Sequence, residues 1–133
     1  MYSVTKSIDF CYGHRLLDYD GICRHPHGHN GQVEIEVRKS SLDSRNMVCD
    51  FSDIKRIVKS WIDSAFDHKM LLRRDDPLVK VLQDLGEPVF VCDSNPTAEH
   101  IAQLIYRHAA REGLPVTRVK MWETPTSFAE YGE

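Results

Sequence analysis

From Tyr2 to Phe10 the even positions read Tyr, Val, Lys, Ile and Phe, and the odd positions Ser, Thr, Ser and Asp. A period of two predicts a strand with one buried face, interrupted here only by Lys6. Residues 31–38, GQVEIEVR, repeat the pattern, with Val33, Ile35 and Val37 inward and Gln32, Glu34, Glu36 and Arg38 outward. The polar KSSLDSRN that follows is a turn region by composition. In DFSDIKRIVKSWIDSAF the period lengthens. Ile54, Ile57, Val58, Trp61, Ile62, Ala65 and Phe66 fall on one helical stripe, with Asp50 or Ser52 available as a cap. Pro77 opens a short helix over 77–85, and PVFVCD has the β-branched and aromatic content of a short strand. NPTAEHIAQLIYRHAAREG predicts a second long helix. Asn95 or Thr97 caps it, Ile101, Ala102, Ile105 and Ala109 form its apolar stripe, and Gly113 stops it. Thr117, Val119, Met121 and Glu123 then alternate with Arg118, Lys120 and Trp122 as a strand, and SFAEY is its hairpin partner after the TPT turn.

The order ββ-α-(β)-α-ββ predicts an α+β fold, an antiparallel four-stranded sheet with two main helices packed on one face. At 133 residues the chain is one domain, 1–133, with no internal linker, low-complexity tract or repeat. Apolar residues at 41% and charged residues at 28% place it among ordinary globular proteins. A net charge of -3 with scattered Lys and Arg gives no electrostatic footprint for nucleic acid. No apolar run approaches the ~18 residues of a membrane span. The opening MYSVTKSIDF lacks the apolar centre of a secretory signal, so a cytoplasmic location is expected. In that compartment Cys11, Cys23, Cys49 and Cys92, which have no paired spacing, are expected to stay thiols.

Between the first two strands lies CRHPHGH, residues 23–29, with three of the seven histidines in five positions. In an extended segment residues two apart project to the same side, so His27 and His29 can converge on one ion with Gly28 leaving room between them. His14 follows the first strand and would lie beside them if the two strands pair. Three imidazoles with an open fourth position are the donor set of a catalytic zinc rather than a structural one. Spacing alone does not select which imidazoles bind, because His25 and Cys23 share the parity of His27 and His29 and Pro26 interrupts it.

Six pieces in order, HRL at 14–16, CRHPHGHN at 23–30, MVCDFSDIK at 47–55, FDHKML at 66–71, NPTAEHIA at 95–102 and WETPT at 122–126, resemble the 6-pyruvoyl-tetrahydropterin synthase and 6-carboxy-tetrahydropterin synthase family. The resemblance covers nearly the whole chain. It implies the tunnelling fold, in which small α+β subunits join their sheets around a channel, commonly as a homohexamer built from trimers. It also implies Zn2+ held by His14, His27 and His29, a catalytic Cys23, a catalytic pair Asp67 and His68, and pterin recognition by Thr97, Glu99 and Glu123. His25 is left as an extra. The chain departs from the family at Tyr12-Gly13, where small residues commonly precede the first zinc histidine, and DDPLVKVLQDLGEP is longer than the usual connection.

The implied reaction converts 7,8-dihydroneopterin triphosphate to a tetrahydropterin with loss of triphosphate. The four-residue step from Cys23 to His27 is similar to the branch that forms 6-carboxy-tetrahydropterin and releases acetaldehyde, in the queuosine pathway. Cys23 would be the base that removes a carbon-bound proton, and His68, with Asp67, would return protons. Glu123 shares the inward parity of Val119 and Met121, and the ring NH and amino group of a pterin would give its carboxylate two parallel donors. The pyruvoyl-forming reaction on the same substrate is the alternative within the family. A metal-binding assembly module without catalysis is the alternative outside it.

Overall fold

The computed structural model describes all 133 residues. Strand β1 (Tyr2–His14) turns into β2 (His27–Lys39) through a long connection that carries a single 3-10 turn, Ile22–Arg24. The two strands pair antiparallel over their whole length, from Tyr2 opposite Lys39 to His14 opposite His27. Helices α1 (Phe51–Ile54) and α2 (Ser60–Ala65) are joined by a π-helical turn, Lys55–Lys59, into one continuous rod. Strand β3 (Met70–Arg73), the short helix α3 (Leu78–Asp84) and β4 (Val89–Cys92) follow, then the long helix α4 (Ala98–Arg111) and the hairpin β5 (Val116–Thr124) and β6 (Ser127–Tyr131). No helix is long and apolar enough to cross a membrane.

The sheet has six strands in the order β4-β3-β1-β2-β5-β6, where four antiparallel strands were expected. The difference lies at β3 and β4. Both run parallel to β1, β3 pairing Gly13 and His14 with Met70 and Leu71, and β4 is reached from β3 by a crossover through α3. A four-residue strand has too little length to show alternation, and Leu71 and Leu72 are both fully buried, so Met70–Arg73 carries no period of two. The remaining elements follow their patterns. Asp50 caps the first helix by accepting from the Ser52 N–H, and Thr97 caps α4 by accepting from the His100 N–H, each worth about 1 kcal/mol.

One face of the sheet carries the core. Ile8, Phe10 and Tyr12 of β1, Val33, Ile35 and Val37 of β2, and Val119 and Met121 of β5 meet Ile54, Val58 and Ile62 of the first rod and Ile101, Ile105 and Ala109 of α4. Truncating one of the fully buried isoleucines to Ala would cost about 2–5 kcal/mol. Glu36, expected outward, is nearly buried. It is held by the Thr117 hydroxyl and by Arg38 and Arg118, which together keep its carboxyl below the usual carboxylate range even though burial, the largest influence, pushes it up.

Candidate metal centre and cavity

The inward face of β1 and β2 does not end with apolar residues. Beyond Phe10 the same parity brings Tyr12 and His14, and across the hairpin these face His29 and His27. The imidazole centroids of His14, His27 and His29 lie 4.5 to 5.0 Å apart, and one nitrogen from each falls within 4.8 Å of the others. The register of one hairpin therefore assembles the trio.

Which nitrogens face inward is fixed by hydrogen bonds on the far side of two of the rings. His14 Nδ1–H donates to the Pro96 carbonyl at 2.6 Å, and His27 Nδ1–H donates to the His25 carbonyl at 2.8 Å. Both Nε2 atoms then carry lone pairs. That of His27 is buried and has no partner, and that of His14 faces His29 Nε2 at 3.2 Å. A tetrahedral ion with Zn–N bonds of about 2.0–2.1 Å would space its ligand atoms by about 3.4 Å, so the arrangement fits zinc. Burial, opposed by the Pro96 hydrogen bond and reinforced by the two neighbouring rings, lowers the His14 pKa to about 4, and burial also lowers that of His29. Neutral imidazoles are the form that binds metal.

Glu123 Oε1 lies 3.9 Å from His14 Nε2. Glu123, His14, Cys23, Thr97 and Glu99 line one cavity of about 370 Å³. Cys23 sits half-buried in the 3-10 turn, and its segment is tied back by Leu16 N–H to the Cys23 carbonyl at 3.0 Å. Arg15 anchors the start of the same connection in a two-pronged ion pair with the buried Asp76, with Nε donating to Oδ2 at 2.7 Å and Nη2 to Oδ1. Asn95 clamps Leu17 through both backbone groups, at 3.0 and 2.8 Å. His25 is exposed and contributes its carbonyl rather than its ring. Seven of the nine residues singled out from sequence for metal, catalysis and substrate, Cys23, Thr97 and Glu99 among them, therefore meet on the core side.

Asp67 and His68 do not join that group within one chain. They follow the first helical rod and reach the outer face of the sheet at Cys11, whose backbone and sulfur they contact. Asp67 Oδ2 accepts from His68 Nδ1–H at 2.8 Å, a bond between adjacent residues made possible by the left-handed backbone of His68 (φ 58°). Burial raises the Asp67 pKa most, but the bonds from His68 and the Cys11 N–H together outweigh it and leave the carboxyl below its ordinary value.

Tyr12 occupies the space under the trio. Its ring packs against Phe10 and lies 5.2 Å from the His14 ring and 5.6 Å from that of His29, with its hydroxyl buried and unpartnered. Gly31 makes this possible, since a Cβ there would meet the Tyr12 ring at 3.1 Å and the Met121 methyl at 2.7 Å. Sequence reasoning missed the Pro96 carbonyl, Asp76 and Cys11, which act through backbone groups or across long separations that no spacing records.

The description 6-pyruvoyl tetrahydropterin synthase matches residues 3–133 of the chain. A 6-carboxy-5,6,7,8-tetrahydropterin synthase of Haemophilus influenzae is 35% identical over 141 residues, covering 100% of both chains. One from Rickettsia bellii is 35% identical, covering 98% of this chain and 99% of its own. Among solved structures, an uncharacterized protein from Wolinella succinogenes superposes with a TM-score of 0.84 at 28% identity, over 99% of this chain and 98% of that one. The 6-pyruvoyl tetrahydropterin synthase of Caenorhabditis elegans does so at 0.74 and 20% identity, over 99% and 95%, a likeness of fold. With a hairpin that gathers three imidazoles and a match along almost its full length, the chain belongs to the 6-pyruvoyl tetrahydropterin synthase family of enzymes.

Proposed function

We propose that this chain is a zinc-dependent 6-carboxy-tetrahydropterin synthase, converting 7,8-dihydroneopterin triphosphate to 6-carboxy-5,6,7,8-tetrahydropterin with loss of triphosphate and acetaldehyde. The observation that carries the reading is the convergence of His14, His27 and His29, with the buried Nε2 lone pair of His27 left without a partner, beside a cavity that also holds Cys23 and Glu123. The names of the relatives covering the whole chain support the carboxy-forming outcome.

The zinc, when bound, supplies Lewis-acid stabilisation of the negative charge that develops as a carbon–hydrogen bond breaks. Cys23, in the same cavity, takes the proton. Glu123 anchors the pterin by accepting from its ring NH and amino group, with Thr97 and Glu99 at the first turn of α4 bordering the same space. His68 returns protons, held by Asp67 in one orientation. Because this pair lies on the opposite face from Cys23, it serves a site completed in a homo-oligomer, where the Asp67–His68 of one copy meets the Cys23 of another. A homohexamer built from trimers is the assembly proposed.

Mass spectrometry of the products formed from 7,8-dihydroneopterin triphosphate by the zinc-loaded protein tests the reaction. 6-Carboxy-tetrahydropterin with acetaldehyde is expected. A pyruvoyl product would move the chain to the other branch, and binding of metal without turnover would return it to a non-catalytic module. Mixing Cys23→Ala chains with His68→Asn chains tests the sharing, since reassembled oligomers should regain part of the activity that neither variant has alone. No recovery would defeat the shared site.

A further inference from the structure

Cys11 has no part in the reaction just proposed, yet it is the one thiol of the four with an imidazole against its sulfur. Sγ lies 3.3 Å from His68 Nε2 and 3.5 Å from Nδ1. The ring is held by Asp67 at 2.8 Å, and the pair is locked to Cys11 by the backbone, with Cys11 N–H donating to Asp67 Oδ1 at 3.1 Å and His68 N–H to the Cys11 carbonyl at 2.7 Å. A nucleophile, a base within reach of it and a third group that orients the base are the working parts of an activated thiol. Cys11 and His68 also line an open cavity of about 630 Å³ that reaches His27 and His29 at the strand ends and whose charged side chains are Lys69 and Glu87. The remaining thiols differ. Burial, the main cause, pushes Cys92 up to about 12 and raises Cys49, while the Cys23 sulfur makes no hydrogen bond and lies in the other cavity.

We propose that Cys11 is a modification site, a thiol nucleophile with His68 as its base and Asp67 as the orienting group, which takes small hydroperoxides. His68 removes the proton from Sγ as the sulfur attacks one peroxide oxygen. The S–O bond forms, the O–O bond breaks, and the departing hydroxide or alkoxide takes the proton back from His68 to leave as water or alcohol. Sulfur is oxidised by two electrons to the sulfenic acid and the peroxide is reduced by two. One consequence rests on the function proposed above: a capped Cys11 occupies His68 and removes it from proton return. The modification itself does not depend on that reading.

The test uses the full-length zinc-loaded protein, a limiting amount of hydrogen peroxide, trapping of sulfenic acid with dimedone, and peptide mass spectrometry at each cysteine. Cys11 should be trapped at least about tenfold faster than glutathione reacts under the same conditions, as base assistance requires. His68→Asn, in which asparagine tolerates the left-handed backbone, should remove that advantage, and Asp67→Asn should reduce it. Cys11→Ser should lose its own adduct and leave those at other cysteines unchanged, which separates reactivity from misfolding. A Cys11 rate equal to that of glutathione, or one unchanged in both dyad variants, would overturn the proposal. If Cys11 reacts as expected while the protein makes no pterin product, the site stands and the function does not.

Discussion

His14 and Cys11 stand three residues apart on β1, on opposite faces of the sheet, and each gathers two further side chains into a cluster able to hold a metal ion. The His14 group is turned toward the core. The outer nitrogens of His14 and His27 are committed to carbonyls, and the inner ones lack enough donors among themselves. The Cys11 group is turned toward solvent, and its donors and acceptors are satisfied internally, thiol against imidazole and imidazole against carboxylate. An unsatisfied convergence of lone pairs calls for a cation, whereas a satisfied chain of donors and acceptors is suited to passing protons. The same residue types serve two purposes because strand parity exposes one set and buries the other.

The largest expected effect is on the core side. His27→Ala should reduce bound zinc and turnover together to background, with metal content measured by plasma emission, while His25→Ala should keep most of its zinc because only its carbonyl is used. Both should leave dimedone trapping at Cys11 as in the parent chain. Metal loss in the His25 variant with retention in the His27 variant would break the assignment of the buried cluster. Next in size, Cys23→Ala should keep its zinc and slow the proton-abstraction step by about 10²–10⁴-fold in single-turnover measurements. Released metal would instead make Cys23 a fourth ligand.

The smallest effect sharpens the contrast through stability. Asp76 is buried with Arg15 beside it. Burial raises its pKa most, but the Arg15 and Leu78 N–H hydrogen bonds and the Arg15 charge more than offset this, so its folded value lies below the ordinary 3.8. A depressed carboxylate contributes stability that is present above the unfolded value and lost as pH falls through the folded one. Asp76→Asn should cost about 3–5 kcal/mol at neutral pH by leaving Arg15 without its partner, and should flatten the acid limb of urea-unfolding stability below about pH 4. Asp67→Asn, at a more open position, should change that limb less. An equal change in both would erase the difference in environment between the two faces.

Much of this organisation could be read from alternation alone. Even positions of β1 and odd positions of β2 point to the core, and extending that parity past Phe10 and Val33 reaches His14, His29 and His27 without further assumption. The helices declared themselves through their stripes and their caps at Asp50 and Thr97. What escaped was set by contacts between distant segments. Strand β3 is too short to show a period, and the placement of Asp67–His68 beside Cys11 depends on where the first rod delivers the chain. Glu36 looked like a solvent residue until Arg38, Arg118 and Thr117 enclosed it.

The bond from His14 Nδ1 ends on the carbonyl of Pro96, one residue before the Thr97 cap of α4. Occupancy of the imidazole trio and ordering of the first turn of α4 are therefore thermodynamically linked. Any free energy by which a bound ion favours the correct His14 tautomer is shared by the turn, and a frayed turn weakens the ion by the same amount. The amides of His100 and Ile101, which bond to Thr97, should accordingly exchange with deuterium more slowly when zinc is present. The start of this helix becomes a sensor of the metal it never touches.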